Sequence, residues 1–258
     1  MPRTEPKKNI PSRPHCTIHL DTGGLTVDLG SSQNLDRKLT GTGALVKAGD
    51  EQLTLTQAST YSGGTLVKAG TLALTNTSAA GTGEIAVDSG ATLRLAVENG
   101  AFGNMLTSTG GTLEVTRAGV SVPSISGFEN LHFILPADSA AGCTVLDITG
   151  SASVALDGVN VSVSGDIPPL KAGETLTLIS NTTGNPKSTN IPIDYELEVS
   201  GSKLVIKRAY DISSSGSAQP VPTLGEMGLL LSGLALAGAA APGLRRRERH
   251  GRKERKQA

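Results

Sequence analysis

The pentapeptide Leu45-Val46-Lys47-Ala48-Gly49 recurs unchanged as Leu66-Val67-Lys68-Ala69-Gly70, 21 residues later. A second signal keeps nearly the same step. The apolar-x-apolar triplets Leu53-Thr54-Leu55, Leu72-Ala73-Leu74, Leu93-Arg94-Leu95 and Leu113-Glu114-Val115 succeed one another at 19, 21 and 20 residues. Gly70, Gly90 and Gly111 fall shortly before three of these triplets. A period of about 20 residues, built of short alternating strands broken by Gly, Ser, Thr and Asn, is the sequence form of a solenoid. Side chains alternate along a strand, so Leu53 and Leu55 face one way and Thr54 the other. One coil cannot bury that inward face alone. Stacked coils place Leu over Leu and close ladder hydrogen bonds between neighbours. The expected fold is therefore all-β, a parallel β-helix solenoid. A leucine-rich repeat has a similar period, but it needs an Asn or Cys ladder and usually a helix per repeat, and neither is visible.

The same stretch resembles the passenger-associated repeat of bacterial autotransporters and related surface adhesins. The resemblance runs through Gly41-Thr42-Gly43-Ala44-Leu45, Leu53-Thr54-Leu55, Thr60-Tyr61-Ser62-Gly63-Gly64-Thr65 and Ala69-Gly70-Thr71-Leu72-Ala73-Leu74. It implies a right-handed β-helix on an exported protein, and it implies no catalytic residues.

Composition agrees with a narrow stacked core. The 258 residues include 32 Gly, no Trp and only 2% aromatics. The formal net charge of zero hides an asymmetry. Residues 245 to 258 carry eight Lys or Arg against two Glu, and residues 1 to 20 carry four against one. The remaining body holds 11 basic and 20 acidic residues, a net −9. An acidic body argues against nucleic-acid binding, which wants a basic face. The two cysteines, Cys16 and Cys143, lie far apart in sequence and are read either as one disulfide or, as is more usual at such a separation, as unpaired thiols.

Residues 1 to 16 are proline-rich, with no apolar run, and read as a disordered N-terminal segment without a legible signal peptide. For an exported protein the expectation is a truncated or misplaced start. Residues 17 to 210 read as the β-helix domain, with repeats at 41 to 115 and a capping region at 116 to 210. Its first part, Thr17-Ile18-His19-Leu20 to Leu25-Thr26-Val27-Asp28-Leu29, reads as strand, turn, strand, with His19 facing solvent. Residues 30 to 40 read as a loop or irregular coil. After Val115 the period blurs. Gly127-Phe128-Glu129-Asn130-Leu131-His132-Phe133-Ile134-Leu135-Pro136 resembles the segment that closes the repeat array in adhesin-like passengers. Thr144 to Gly150 and Leu170 to Ile179 fit the same closing region. A solenoid needs such a cap because its last coil exposes an edge and an open core end. Tyr195 to Val199 and Lys203 to Lys207, around Ser200-Gly201-Ser202, read as a final hairpin.

Residues 211 to 220 read as a flexible linker. Residues 221 to 258 read as a signal at the membrane. Met227 to Leu244 is an apolar run of 18 residues. As a helix it would reach roughly 27 Å, enough for one transmembrane crossing. The basic tail, 245 to 258, would stay cytoplasmic, anchored by Arg245, Arg246, Arg247 and Arg249. Val221-Pro222-Thr223-Leu224-Gly225-Glu226-Met227-Gly228, the apolar run and the arginine cluster together resemble the bacterial IPTL-CTERM sorting domain, with Met227 where that family usually has Trp. The resemblance implies recognition of Val221, Pro222, Thr223, Leu224, Gly225, Glu226 and Gly228 by an exosortase-type membrane protease. It also implies cleavage near the motif and release or attachment at the surface of a Gram-negative cell.

Catalytic signatures are missing. His15, His19, His132 and His250 show no metal-ligand spacing. Gly41-x-Gly43 opens no helix, and no Gly-x-Ser-x-Gly elbow occurs. Polysaccharide lyases and glycosidases on β-helices need clustered carboxylates on one sheet. Here the outward positions Thr54, Ala73, Arg94 and Glu114 read as mixed, and Asp88, Asp147 and Asp157 as turn or solvent residues. Too few aromatics remain for a translocator barrel. The expected function is a surface-anchored or secreted β-helix protein with a structural or adhesive role, not an enzyme. No cofactor is expected, and the partners are the sorting protease, the membrane and a surface glycan or cell-surface ligand. The alternative is a β-helical carbohydrate-active enzyme whose catalytic coils lie in a missing N-terminal part.

Overall fold

The structure is a computed structural model that describes residues 17–137 and 139–209. All regular elements among them are strands, and nearly all pair in parallel with a strand one coil away. Each middle coil contributes to three sides. Leu45–Ala48, Thr65–Val67, Ile85–Val87 and Leu106–Ser108 stack in a first sheet of six strands. Gln52–Leu55, Thr71–Leu74, Thr92–Leu95, Thr112–Val115 and Asn130–Leu135 stack in a second sheet of eight. The third side opens with the parallel pair Ile18–Leu20 and Leu39–Gly41 and then loosens, held by single bonds such as Thr60 N–H to Leu39 O and Thr82 N–H to Tyr61 O. It becomes a regular sheet from Val120–Val122 onward. The solenoid reading of the repeats therefore holds.

The triplets noted in the sequence are the inner columns of the second sheet. Leu53, Leu72, Leu93 and Leu113 stand in register, and Leu131 and Val161 continue the column. Leu55, Leu74, Leu95, Val115 and Phe133 form the next. All are buried. Gly70 and Gly111 are required where the chain turns into these strands. Gly70 has φ 64°, and a Cβ there would lie 2.5 Å from the Asp50 carbonyl carbon. At Gly111 a Cβ would meet Val87 Cγ1 at 2.7 Å. Neighbouring coils leave no room for a side chain at these corners.

Three features refine the repeat pattern, and the second corrects an expectation. First, the duplicated pentapeptides are not structurally equivalent. Leu45 pairs with Thr65, Val46 with Leu66 and Lys47 with Val67, a step of 20 rather than 21. Leu45 and Lys47 thus point inward, while Leu66 and Lys68 point outward and Val67 is buried. Period-2 alternation makes a one-residue slip reverse every side chain. The slip is absorbed in the corner: Lys47 to Gln52 is a step of 5, whereas their register partners Val67 and Thr71 are a step of 4 apart. Second, residues 30 to 40 are not a plain loop. Gln33–Leu35 pairs with Leu53–Leu55, and Leu39–Gly41 with Ile18–Leu20. The neighbouring ladder recruits these polar segments, with only Leu35 and Leu39 turned toward the core. Third, the second sheet does not fade after Val115. It runs on through Asn130–Leu135, Asn160–Gly165 and Lys187–Ser188, but the coils lengthen, which hides the period.

The hairpin lies where expected, as Tyr195–Ser200 and Lys203–Arg208. Lys203–Arg208 pairs antiparallel with Thr175–Ser180, so the third sheet changes from parallel to antiparallel there. Leu204 and Ile206 turn into the core from this strand. Lys207, on its outer side, bridges Glu196 at 3.2 Å and Glu198.

Candidate functional site

The outward column of the second sheet is where side-chain chemistry gathers. Thr54, Ala73, Arg94, Glu114, His132 and Ser162 occupy successive coils in register. The sequence reading took the first four as unremarkable. They are joined. Arg94 Nε donates to Glu114 Oε1, and Arg94 Nη1 reaches back across Ala73 to donate to Gln52 Oε1 at 2.7 Å. Gln52 in turn donates to Thr54 Oγ1 at 3.0 Å. On the other side His132 Nδ1 lies 3.6 Å from Glu114 Oε2, and His132 Nε2 is 2.8 Å from Ser164 Oγ.

This spine explains a burial pattern that alternation alone does not. Thr54, Ala73 and Glu114 are on the outer face, yet each is less than 10% exposed. The long arginine side chain lies along the sheet and covers them, using its methylene stem as apolar cover and its head as donor. The Glu114 carboxylate thereby has a cation on one oxygen and an imidazole facing the other. Chemically this is an oriented acid–imidazole–hydroxyl series. No periodic pattern could reveal it, because successive members of the series Gln52, Arg94, Glu114, His132 and Ser164 are 18 to 42 residues apart and meet only once the coils are in register.

Two polar groups lie within the core itself. Lys47 is fully buried, and its ammonium donates to the Ala48, Gly49 and Ala69 carbonyls at 2.8, 2.7 and 3.1 Å. It sits in the wider corner created by the register step. Burial pushes its pKa down, opposed by Asp28, Asp50 and Glu51. Tyr61 is fully buried, with its hydroxyl 2.6 Å from Thr65 Oγ1. Burial pushes its pKa up to about 12, with the Thr65 bond acting the other way.

A cleft of about 270 Å³ opens where the first sheet stops. Its walls include Ile125, Phe128, Leu131, Val154, Leu156 and Val159. Ile125–Ser126 ends the first sheet and Val154–Ala155 begins a separate two-stranded one. Phe128 is 6% exposed and fills the floor.

The sequence-predicted sorting residues, Val221, Pro222, Thr223, Leu224, Gly225, Glu226 and Gly228, lie outside the described residues, as do Arg245, Arg246, Arg247 and Arg249. The linker, the apolar run and Cys16 lie outside them too. Among the described residues no helix is long and apolar enough to cross a membrane, and no group of three or more His, Cys, Asp and Glu could hold a metal ion. Cys143 is a free thiol bonded to Ala140 O. His19 is exposed, beside Thr40 at 3.2 Å.

The family model of the passenger-associated-transport-repeat matches residues 45–74. That segment holds the first-sheet strands Leu45–Ala48 and Thr65–Val67 and the second-sheet strands Gln52–Leu55 and Thr71–Leu74. No curated protein and no solved structure gave a match. The chain thus carries an autotransporter-passenger type of repeat, in two successive coils of a parallel β-solenoid.

Proposed function

We propose that this chain is part of an exported bacterial β-solenoid protein with a structural or adhesive role at the cell surface or outside the cell. The observation that carries it is the repeat at 45–74, similar to the passenger-associated-transport-repeat, built into a continuous parallel stack. A solenoid grows by adding coils that contact only their neighbours, which suits a long rigid surface element. In this reading the winding is right-handed, and the antiparallel hairpin at 195–208 acts as a C-terminal cap that stops further coils from adding. Residues 211 to 220 link it to a sorting signal. The 227–244 run crosses the inner membrane transiently, and an exosortase-type protease acts near Val221 to Gly228. Surface glycans or cell-surface molecules are the ligand class that such a stalk would present itself to.

The test is made on the native host. Intact cells are treated with an impermeant protease, and the mature C-terminus is mapped by mass spectrometry of the surface and medium fractions. The expected result is protease-accessible solenoid that ends near residue 221. A full-length chain held inside the cell, untouched by protease, would overturn the reading.

A further inference from the structure

We propose that Glu114, His132 and Ser164 form a nucleophilic centre on the outer face of the second sheet, able to transfer the acyl group of an activated ester. This goes beyond the surface role above and does not rest on it. Three observations carry it. The order of groups is that of an activated serine: an acid facing Nδ1 at 3.6 Å, and Nε2 at 2.8 Å from the hydroxyl. With the imidazole proton on Nδ1, toward Glu114, Nε2 accepts from Ser164 Oγ. Arg94 occupies the other carboxylate oxygen, which fixes Glu114 beside a cation. The carboxylate is only 10% exposed, and the His132 side chain 29%, so the series is sheltered on the acid side and open at the hydroxyl.

The third observation concerns the backbone beside Ser164. Lys187–Ser188 pairs with Asn160 and Val161, and Thr189 N–H donates to Val161 O at 2.8 Å. Past that point, among the described residues, the strand Asn160–Gly165 is paired in its sheet on one side only. Asp166 N–H donates to Leu135 O at 2.8 Å, on the paired side. Alternation along a parallel ladder then directs the Gly165 N–H toward the open edge. Gly165 has φ 84°, and a side chain there would collide with Leu135 O. An N–H from the residue after the nucleophile is the type of donor that stabilises the oxyanion of acyl transfer. A free strand edge also offers a rail for an extended substrate.

The chemistry balances without a cofactor. Ser164 Oγ adds to the ester carbonyl carbon while its proton passes to His132 Nε2. The C–O bond to the alcohol breaks, and the alcohol leaves with the proton from His132. Water then adds to the acyl-serine, giving its proton to His132. Ser164 regains that proton as the carboxylic acid departs.

The test uses the whole chain and a fluorophosphonate probe, which forms a P–O bond to an activated serine and expels fluoride. Labelled sites are mapped by mass spectrometry. Ser164 is expected to label at least about 100-fold faster than Ser162 on the same strand, the scale of general-base assistance. His132→Gln should remove the rate advantage, and Glu114→Gln should lower the rate about 10-fold or more while far-UV circular dichroism stays unchanged. Labelling of Ser164 at the rate of Ser162 in the wild-type chain would overturn the proposal even if the variants failed to fold.

Discussion

Lys47 and Tyr61 are the residues whose behaviour departs most from their types. The Lys47 ammonium satisfies three corner carbonyls, so Lys47→Met keeps the stem but strands acceptors. The expected cost is about 1–3 kcal/mol, measured as a lowered unfolding midpoint in denaturant. Its pH dependence has a definite sign. The folded chain releases this proton before the unfolded one, whose pKa is 10.5. Between the lowered value and 10.5 the unfolded state binds more protons, so stability rises with pH across that window. Lys47→Met should lack this rise. Tyr61 has the opposite sign. The folded chain keeps its phenol proton to about pH 12 while the unfolded chain loses it from 10.0. Stability should therefore be full below pH 10 and fall by up to about 3 kcal/mol between pH 10 and 12. In Tyr61→Phe that fall should disappear, read by thermal melts at a series of alkaline pH values.

At the scale of strands and coils, the two identical pentapeptides are the sharpest test of register. Leu45 is completely buried, and its sequence counterpart Leu66 is outward and half-buried. Leu45→Ala should cost about 2–5 kcal/mol, as a core deletion does. Leu66→Ala should cost about 1 kcal/mol or less. Equal costs would mean that the coils align on the duplicated motif after all. The outer spine is a second element-scale device. Arg94→Ala and Glu114→Ala should couple in a double-mutant cycle by about 0.5–3 kcal/mol, since each leaves the other without its partner. Here the sequence was legible in one respect and opaque in another. The inward leucines repeat and so announce themselves. Glu114, His132 and Ser164 occur once each, and their meeting depends on coils of unequal length that happen to align.

For the whole solenoid, stability is a sum over neighbouring coils, so the ends are weaker than the middle. Among the described residues the first coil has a neighbour on one side only, and Leu25 and Val27 are half-exposed where Leu72 and Leu93 are fully buried. Amide exchange should be faster in Ile18–Leu20 and Leu25–Asp28 than in Thr71–Leu74 and Thr92–Leu95. Uniform protection along the stack would contradict a neighbour-by-neighbour solenoid.

The sequence by itself determined that the chain is a β-solenoid, because a 20-residue recurrence of alternating apolar positions leaves stacking as the way to bury them. It also located the columns Leu53 to Leu113 and the final hairpin. Only the tertiary structure decided the register, since a strand has no internal mark of which face is inward and corner length sets it. That choice buried Lys47 rather than Lys68. The tertiary structure also recruited residues 33 to 35 and 39 to 41 into strands, because an adjacent ladder offers partners to backbone groups whatever the side chains are. Finally, it assembled the Arg94–Glu114–His132–Ser164 series, whose members lie on separate coils and become neighbours through strand spacing alone.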